Sequence, residues 1–222
     1  MCCHERRRPK TEREKNSMIN SVNSVNSVNP GNSPTRVRTK QRLMDAMVKV
    51  VGTSGMQNAS VRAIAREAGC NEAVLYHHFD NKNAMQEEVF ANLVLDLART
   101  RREQAAKETD PIKFIRSWVE ASYRFYDDRP NAFAFVLLAF PPITPIDHTA
   151  FTANSELFKS SLENITPPAG HVMNITVASL SAFSTLILGP PRDIHLGIIP
   201  GPAANYADEI ATLGTALLVH RR

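Results

Sequence analysis

The apolar residues of this chain recur at helical spacing from Pro34 onward. The first periodic segment ends at Gly55, a residue that commonly terminates helices, and its apolar positions are Leu43, Met47, Val50 and Val51. A second, short helix is predicted to begin at the N-cap Ser60, and a third near Asn71. A fourth follows Asp80-Asn81, with an apolar stripe formed by Met85, Val89, Leu93 and Leu97.

The rest of the chain continues the helical pattern. Asp110-Pro111 is typical of a helix start, because aspartate caps the helix and proline suits its first turn. Helices are predicted at about 111–127, 130–140, 148–164, 168–189 and 203–219. No segment alternates apolar and polar residues between turn signals, so we expect no strands. The fold class is therefore predicted to be all-α.

Residues 1–35 differ in composition from the rest of the chain. They contain three consecutive Ser-Val-Asn triplets between Ser21 and Asn29, followed by a segment rich in proline, glycine and asparagine. Such polar low complexity buries too little apolar surface to offset its ordering entropy, so we expect a disordered tail. The sequence leaves open whether Met1 or Met18 is the first residue of the native chain.

Charge is concentrated at the N-terminus. The chain has a net charge of +4, but residues 1–42 hold ten Lys and Arg against three Glu and so carry +7. A basic end on a near-neutral body is compatible with a polyanionic partner approached from one side, and equally with a solvated tail that has no partner.

Several function classes are disfavoured. Three cysteines make no disulfide framework and favour a cytoplasmic protein, and Cys2-Cys3-His4 fits no zinc spacing. We find no signal peptide, and the apolar run 177–189 is shorter than the roughly 20 residues that span a bilayer. No glycine-rich phosphate loop, metal-ligand spacing or nucleophile–base set is present. We therefore expect neither an enzyme nor a membrane partner, and no metal or cofactor.

The segment 59–78 predicts two short helices joined by a tight turn at Gly69, where glycine accepts a positive φ. One side of this pair is apolar and is expected to form a small core from Ile64, Ala65, Ala68, Leu75 and Phe79. The other side presents hydrogen-bonding groups of varied reach, namely Arg62, Glu72, Tyr76, His77 and Lys82. This arrangement is typical of a helix-turn-helix that places one helix in the major groove of DNA.

The same segment resembles the TetR/AcrR family of regulators. The resemblance rests on Ala65–Gly69, on Leu75–Phe79 and on Asn81-Lys82, and it covers about residues 36–96. Cys70 and Ala73 depart from the residues that the family prefers there, but both are small. The resemblance implies an N-terminal three-helix DNA-binding domain at 36–96. It also implies a helical regulatory and dimerisation domain at 97–222.

The resemblance also suggests roles at matching positions. Arg62 suits a guanine, Glu72 a cytosine amine, and Ala73 and Val74 a thymine methyl group. Phosphate contacts are expected from Ser60, Tyr76, His77, His78 and Lys82, and backbone or minor-groove contacts from Arg38 and Lys40. Glu72 has an alternative role, since a carboxylate also favours a helix N-terminus, and His78 has one as a packing residue against the first helix.

For the C-terminal domain, the family implies a homodimer and a small-molecule effector. Helices 168–189 and 203–219 are candidates for the dimer interface, because they are apolar on more than one side. Candidate effector contacts, each equally compatible with core packing, are Trp118, Tyr123, Phe140, His148 and His171. The expected function is a homodimeric repressor that binds a palindromic operator and is released by its effector. The alternative is a helical ligand-binding or scaffolding dimer whose DNA-binding segment has lost its function.

Overall fold

The computed structural model describes residues 34–138 and 149–221. The chain divides into two compact units, Met1–Gln41 and Arg42–Arg222. The described part of the first unit, residues 34–41, is helical throughout. The predicted tail 1–35 therefore lies outside the described residues except for Pro34 and Thr35, which are helical and not disordered.

The N-terminal elements follow the predicted order. They are α1 (Pro34–Ser54), a 3-10 turn (Met56–Asn58), α2 (Val61–Glu67), α3 (Glu72–His78) and α4 (Lys82–Ala105). Ser60, Asn71 and Asn81 cap α2, α3 and α4 in the same way, because each side-chain oxygen accepts a hydrogen bond from the amide three residues on, at 3.1, 3.1 and 2.9 Å. The predicted starts at Ser60 and Asn71 are confirmed.

Helices α1 to α4 enclose one group of buried side chains, here called the N-terminal core. Its fully buried members come from all four helices and include Leu43, Met47, Ile64, Leu75 and Met85. Phe135 and Val136, from a later helix, complete it. Because α2 and α3 have only seven residues each, they depend on this core for their shape.

The C-terminal elements are also mostly helical. They are α5 (Pro111–Asp128), α6 (Pro130–Leu138), α7 (Thr149–Glu163), β1 (His171–Met173), α8 (Val177–His195), a 3-10 turn (Ala203–Tyr206), α9 (Ala207–Leu218) and β2 (Val219–Arg221). They surround a second group of buried residues, the C-terminal core, which is rich in aromatic side chains from α5 to α8. The all-α class is confirmed, and no helix among the described residues is long and apolar enough to cross a membrane.

Two sequence predictions are wrong in this region. We expected no strands, yet β1 and β2 pair antiparallel, with His171 opposite Arg221 and Met173 opposite Val219. The helix predicted at 168–189 begins instead at Val177, after a capping box of Thr176 and Ser179. Each strand has only three residues, too few for a visible alternation, and its partner lies nearly fifty positions away. The local pattern therefore gave no signal for the strands, whereas Thr176 was a cap signal for the start of the helix that the prediction did not use.

The end of α8 also differs from the prediction. Pro190 and Pro191 were expected to terminate the helix, but it continues through both of them to His195. The backbone φ of proline fits a helix, although each proline removes one hydrogen bond from the helix. Pro191 is buried, and the end of α8 is closed by the Leu196 amide, which donates to the carbonyls of Arg192 and Ile194.

α4 and α6 belong to both cores. In α4, Met85 and Val89 lie in the N-terminal core and Leu97 in the C-terminal core. In α6, Phe133 lies in the C-terminal core and Phe135 in the N-terminal core. The two cores are thus joined by continuous helices, and a displacement of either helix in one core must be felt in the other.

The approach of α1 to α6 is tight at Gly52. A Cβ atom at this position would lie 2.6 Å from the Cβ of Asn131 and 2.8 Å from its Cα. We expect Gly52→Ala to lower the free energy of unfolding by about 1–3 kcal/mol, because the backbone of α6 must shift. Thermal unfolding measures this, with Thr53→Ala, an exposed neighbour on the same helix, as control. An unchanged melting temperature for Gly52→Ala would contradict the close approach.

Candidate nucleic-acid interface and ligand cavity

The turn between α2 and α3 is built around Gly69. Its φ is +65°, a conformation that side chains with a Cβ rarely adopt. The Cys70 amide donates to the Ala65 carbonyl at 2.9 Å, and Arg42 of α1 donates to the Ala68 carbonyl. These two hydrogen bonds pair carbonyl groups that would have no partner at the end of α2. One donor follows the turn and the other lies on α1, so both help to fix the angle between α2 and α3.

Helix α3 has one buried and one exposed face. Leu75 is fully buried, whereas Glu72, Ala73, Tyr76 and His77 are exposed. The exposed positions follow the helical repeat, and Tyr76 is 56% exposed, which is high for an aromatic side chain. The His77 ring meets the His78 ring edge-on, with 5.5 Å between centroids. The exposed face, here called the exposed row, therefore combines a carboxylate (Glu72), a methyl group (Ala73), a phenol (Tyr76) and an imidazole (His77).

Other predicted contacts flank this face. Ser60, the cap of α2, and Arg62, in its first turn, are both exposed. Arg62 forms no ion pair with any of the described residues. Lys82, half-buried, begins α4 directly after its cap. The structure thus brings Ser60, Arg62, the α3 face and Lys82 onto three consecutive elements joined by tight turns.

Four predicted contacts are placed differently. Val74 is half-buried and packs against the N-terminal core, and His78 is also half-buried. Arg38 and Lys40 were expected to precede the first helix, but both lie inside α1. The helix begins earlier than its apolar stripe indicates because residues 34–42 include no buried side chain, and a polar helical extension leaves no apolar period to detect.

The family model for "Bacterial regulatory proteins, tetR family" matches residues 43–89, which contain α2, α3 and the turn between them. Among curated proteins, the repressor KstR2 of Rhodococcus jostii is 32% identical over 95 residues, covering 43% of this chain and 47% of that protein. The regulator BetI of Pseudomonas aeruginosa is 32% identical over 95 residues, covering 42% and 47%. These alignments span about half the length of the curated relatives.

Similarity to solved structures extends over most of the chain. FadR of Bacillus halodurans superposes with a TM-score of 0.70 at 14% identity, covering 83% of this chain and 96% of that one. The TetR-family regulator PfmR of Thermus thermophilus gives 0.63 at 19%, covering 78% and 96%. At such identities the likeness concerns the fold. Residues 43–89 are thus similar to the tetR family model, and the chain shares its fold with solved regulators that contain such a segment.

The C-terminal core contains a narrow cavity of about 80 Å³. Five helices, α4 to α8, contribute its walls, which are mostly aliphatic and aromatic. The lining residues are Val94, Leu97, Arg101, Trp118, Phe133, Val136, Ser155, Phe158, Leu180, Phe183, Ser184, Ile187 and Leu188. Its lining, apolar with few polar groups, has the composition of a small-molecule site, and its volume is below the roughly 300–1,000 Å³ common for such sites.

The predicted effector contacts divide into three groups. Trp118 lines the cavity. Tyr123 is fully buried but is absent from the described lining. Its hydroxyl has no hydrogen-bond partner among the described residues, and burial raises its pKa. His171 lies in β1, also away from the lining. Phe140 and His148 lie outside the described residues. No group of three or more potential metal ligands occurs among the residues that are described.

Sequence reasoning missed Arg101, the one charged side chain among the described residues that line this cavity. It is only 8% exposed, and its Nε donates to Ser122 Oγ at 2.9 Å. A signal was present, because the stripe Met85, Val89, Leu93 and Leu97 repeats every four residues and Arg101 is its next member. A charged residue that continues an apolar stripe faces the interior.

Substitutions at two neighbouring residues of α3 test which of its faces is buried and which is exposed. Leu75→Ala is expected to cost about 2–5 kcal/mol of stability, because it leaves a cavity in the N-terminal core. Tyr76→Ala is expected to change stability by less than about 0.5 kcal/mol, because its side chain is mostly exposed. Denaturant unfolding measures both. Equal losses of stability would show that the assignment of the faces is wrong.

Proposed function

We propose that this chain is a sequence-specific DNA-binding transcriptional regulator, most simply a homodimeric repressor that a small ligand releases from a palindromic operator. The exposed row Glu72, Ala73, Tyr76 and His77 on α3 is the main support, because it lies inside the segment that matches the tetR family model. The proposal assigns no catalytic role to the chain and expects it to act in the cytoplasm.

The proposed contacts divide between bases and phosphates. Arg62, with its exposed guanidinium fork, pairs with guanine, and Glu72 accepts from a cytosine amine. Ala73 contacts a thymine methyl group, and Val74 assists it from its half-buried position. Phosphate contacts from Ser60, Tyr76, His77, His78 and Lys82 fix the register of the helix in the groove. Arg38 and Lys40 are proposed to contact the DNA backbone from α1.

Dimerisation is proposed through α8 and α9, which correspond to the predicted interface helices 168–189 and 203–219. Both present uncharged, exposed positions, including Val177, which is 86% exposed, and Leu213, which is 48% exposed. Small residues such as Ala178 and Ala182 on α8 and Ala216 on α9 are also exposed and permit close packing. A two-fold dimer would place two α3 helices about 34–36 Å apart, as two half-sites of an operator require.

Release by a ligand is supported by the position of the cavity. Its walls include parts of α4 and α6, the two helices shared with the N-terminal core. A ligand that moves either helix would therefore change the position of α3 in the dimer, which is the two-state coupling that allostery requires. One structural neighbour, FadR of Bacillus subtilis, was crystallised with stearoyl-CoA, so this fold can accommodate an apolar effector.

The DNA-binding proposal predicts the effect of two single substitutions. Arg62→Ala should weaken binding to the chain's own upstream DNA about tenfold or more, since a bidentate base contact is worth about 1–3 kcal/mol. Tyr76→Ala should also weaken binding, and to a similar degree for all sequences, because it removes a phosphate contact. Binding of the unaltered protein should also fall steeply with salt, because counterions are released from the DNA. Electrophoretic mobility shift and fluorescence anisotropy measure both effects.

The matched control is Arg124→Ala, which removes an exposed arginine on α5. It should leave DNA affinity within about twofold. If neither substitution on α2 or α3 lowers affinity, or if no genomic fragment is bound, the alternative of a scaffolding dimer without a functional DNA-binding segment is favoured.

A charge placed on the proposed interface should separate the subunits. Leu213→Glu is expected to shift the protein from dimer to monomer at micromolar concentration, because a carboxylate would be buried beside its symmetry mate. Analytical ultracentrifugation measures the change. Ile112→Glu, at an exposed apolar residue of α5, serves as the control and should remain dimeric. A dimer that survives Leu213→Glu would place the interface elsewhere.

A further inference from the structure

Arg101 is a buried cation to which the described residues offer no acidic partner. Lys49, Arg99, Arg116, Arg129 and Arg192 form ion pairs in which the basic side chain is at least 43% exposed. Arg101 is 8% exposed and takes part in none of them. Burial of an unpaired charge is costly, so a buried arginine normally has a carboxylate or a bound anion beside it.

The guanidinium of Arg101 is held in a fixed orientation. Its Nε donates to Ser122 Oγ, and that hydroxyl donates in turn to the Trp118 carbonyl at 2.6 Å. The Cζ atom lies 5.3 Å from the centroid of the Trp118 ring. These contacts use one of five N–H donors, and no acceptor for the two terminal nitrogens is recorded in the described part of the chain. The end of the fork is therefore available to a ligand.

The described lining of the cavity beside Arg101 carries no negative charge. Its described residues include no acid, and their polar side chains beyond Arg101 are Ser155 and Ser184. Phe133, Phe158 and Phe183 form much of the remaining wall. Burial lowers the pKa of Arg101 to about 9, which still leaves the group charged at neutral pH. One positive charge in an apolar enclosure is complementary to a single negative charge on an apolar molecule.

We propose that Arg101 is the anion-binding residue of the effector cavity, and that the effector is a carboxylic acid with an apolar body. The two terminal nitrogens donate to the carboxylate in a bidentate pair, while the hydrocarbon or aromatic part contacts the phenylalanine wall. A single cation at the site favours a monoanion over a phosphate dianion. The inference rests on the proposed function in one respect, that this cavity is the effector site.

The position of Arg101 also connects the ligand to α3. Arg101 and Leu97 line the cavity from α4, the helix that begins at Lys82, next to α3. The helical segment from Lys82 to Arg101 is about 28 Å long. A carboxylate bound to Arg101 would attract the C-terminal half of α4 toward the cavity. Because α4 is continuous, that displacement reaches the end that adjoins the DNA-binding elements.

The test uses the purified full chain and matched small probes. Octanoate and dodecanoate should bind by isothermal titration calorimetry at least about tenfold more tightly than octanol and dodecanol, and octyl phosphate should bind more weakly than octanoate. Arg101→Met should abolish this preference for the acid and leave the affinity for octanol within about twofold. Arg124→Met, which makes the same exchange at an exposed position, should behave as the unaltered protein.

Two further measurements keep the test decisive. Arg101→Met is expected to keep or raise the melting temperature, because it removes an unpaired buried charge. If it fails to fold, Ser122→Ala, which frees the guanidinium from its hydroxyl partner, should weaken octanoate binding several-fold without affecting octanol. Failure of both acids to bind, equal binding of acids and alcohols, or undiminished octanoate binding by Arg101→Met would overturn the proposal.

The outcomes also separate this inference from the proposed function. Arg101-dependent binding of octanoate in a protein that binds no DNA would retain the ligand assignment and refute the regulator. If the protein binds DNA but does not bind the acids, and the acids do not release it from DNA, only the ligand assignment would be refuted. Release of DNA by octanoate, lost in Arg101→Met, is the result expected if both are correct.

Discussion

A helix of seven residues does not hold its shape in water, because the cost of nucleating it exceeds what so few hydrogen bonds return. The candidate recognition helix α3 has this length, and so does α2 before it. Both persist because Ile64 and Leu75 are buried against longer helices and because each start is capped by a side chain. The exposed row on α3 therefore depends on a hydrophobic contact on its opposite face.

The same dependence extends into the C-terminal part of the molecule. The N-terminal core is completed by Phe135 and Val136 of α6, and Val136 also lines the cavity in the C-terminal core. α4 makes a second connection, from Lys82 at one end to Arg101 near the other. A close-packed interior transmits displacement instead of absorbing it. A cavity bordered by these two helices is thus well placed to influence the exposed face of α3.

Most of the candidate DNA interface was predictable because its signals are local. Ser60 and Asn71 are cap residues at the starts of short apolar repeats, and Gly69 supplies the positive φ of the turn. Leu75 and Tyr76 take opposite faces because the helical repeat requires it. The helical pattern after Pro34 was recognised, but Arg38 and Lys40 were still expected to precede the first helix, since residues 34–42 form a polar helical extension without buried side chains.

The sequence by itself determined the all-α class, the helix-turn-helix and the exposed face of α3, because periodicity, capping and turn chemistry act within a few residues. Tertiary structure decided what depends on distant partners. It paired β1 with β2, continued α8 through Pro190 and Pro191, and turned Arg101 into the cavity against Ser122 and Trp118. The apolar stripe of α4 indicates that Arg101 faces inward, but no local rule reports what surrounds it there, because the described cavity walls come from five helices spread over nearly a hundred residues.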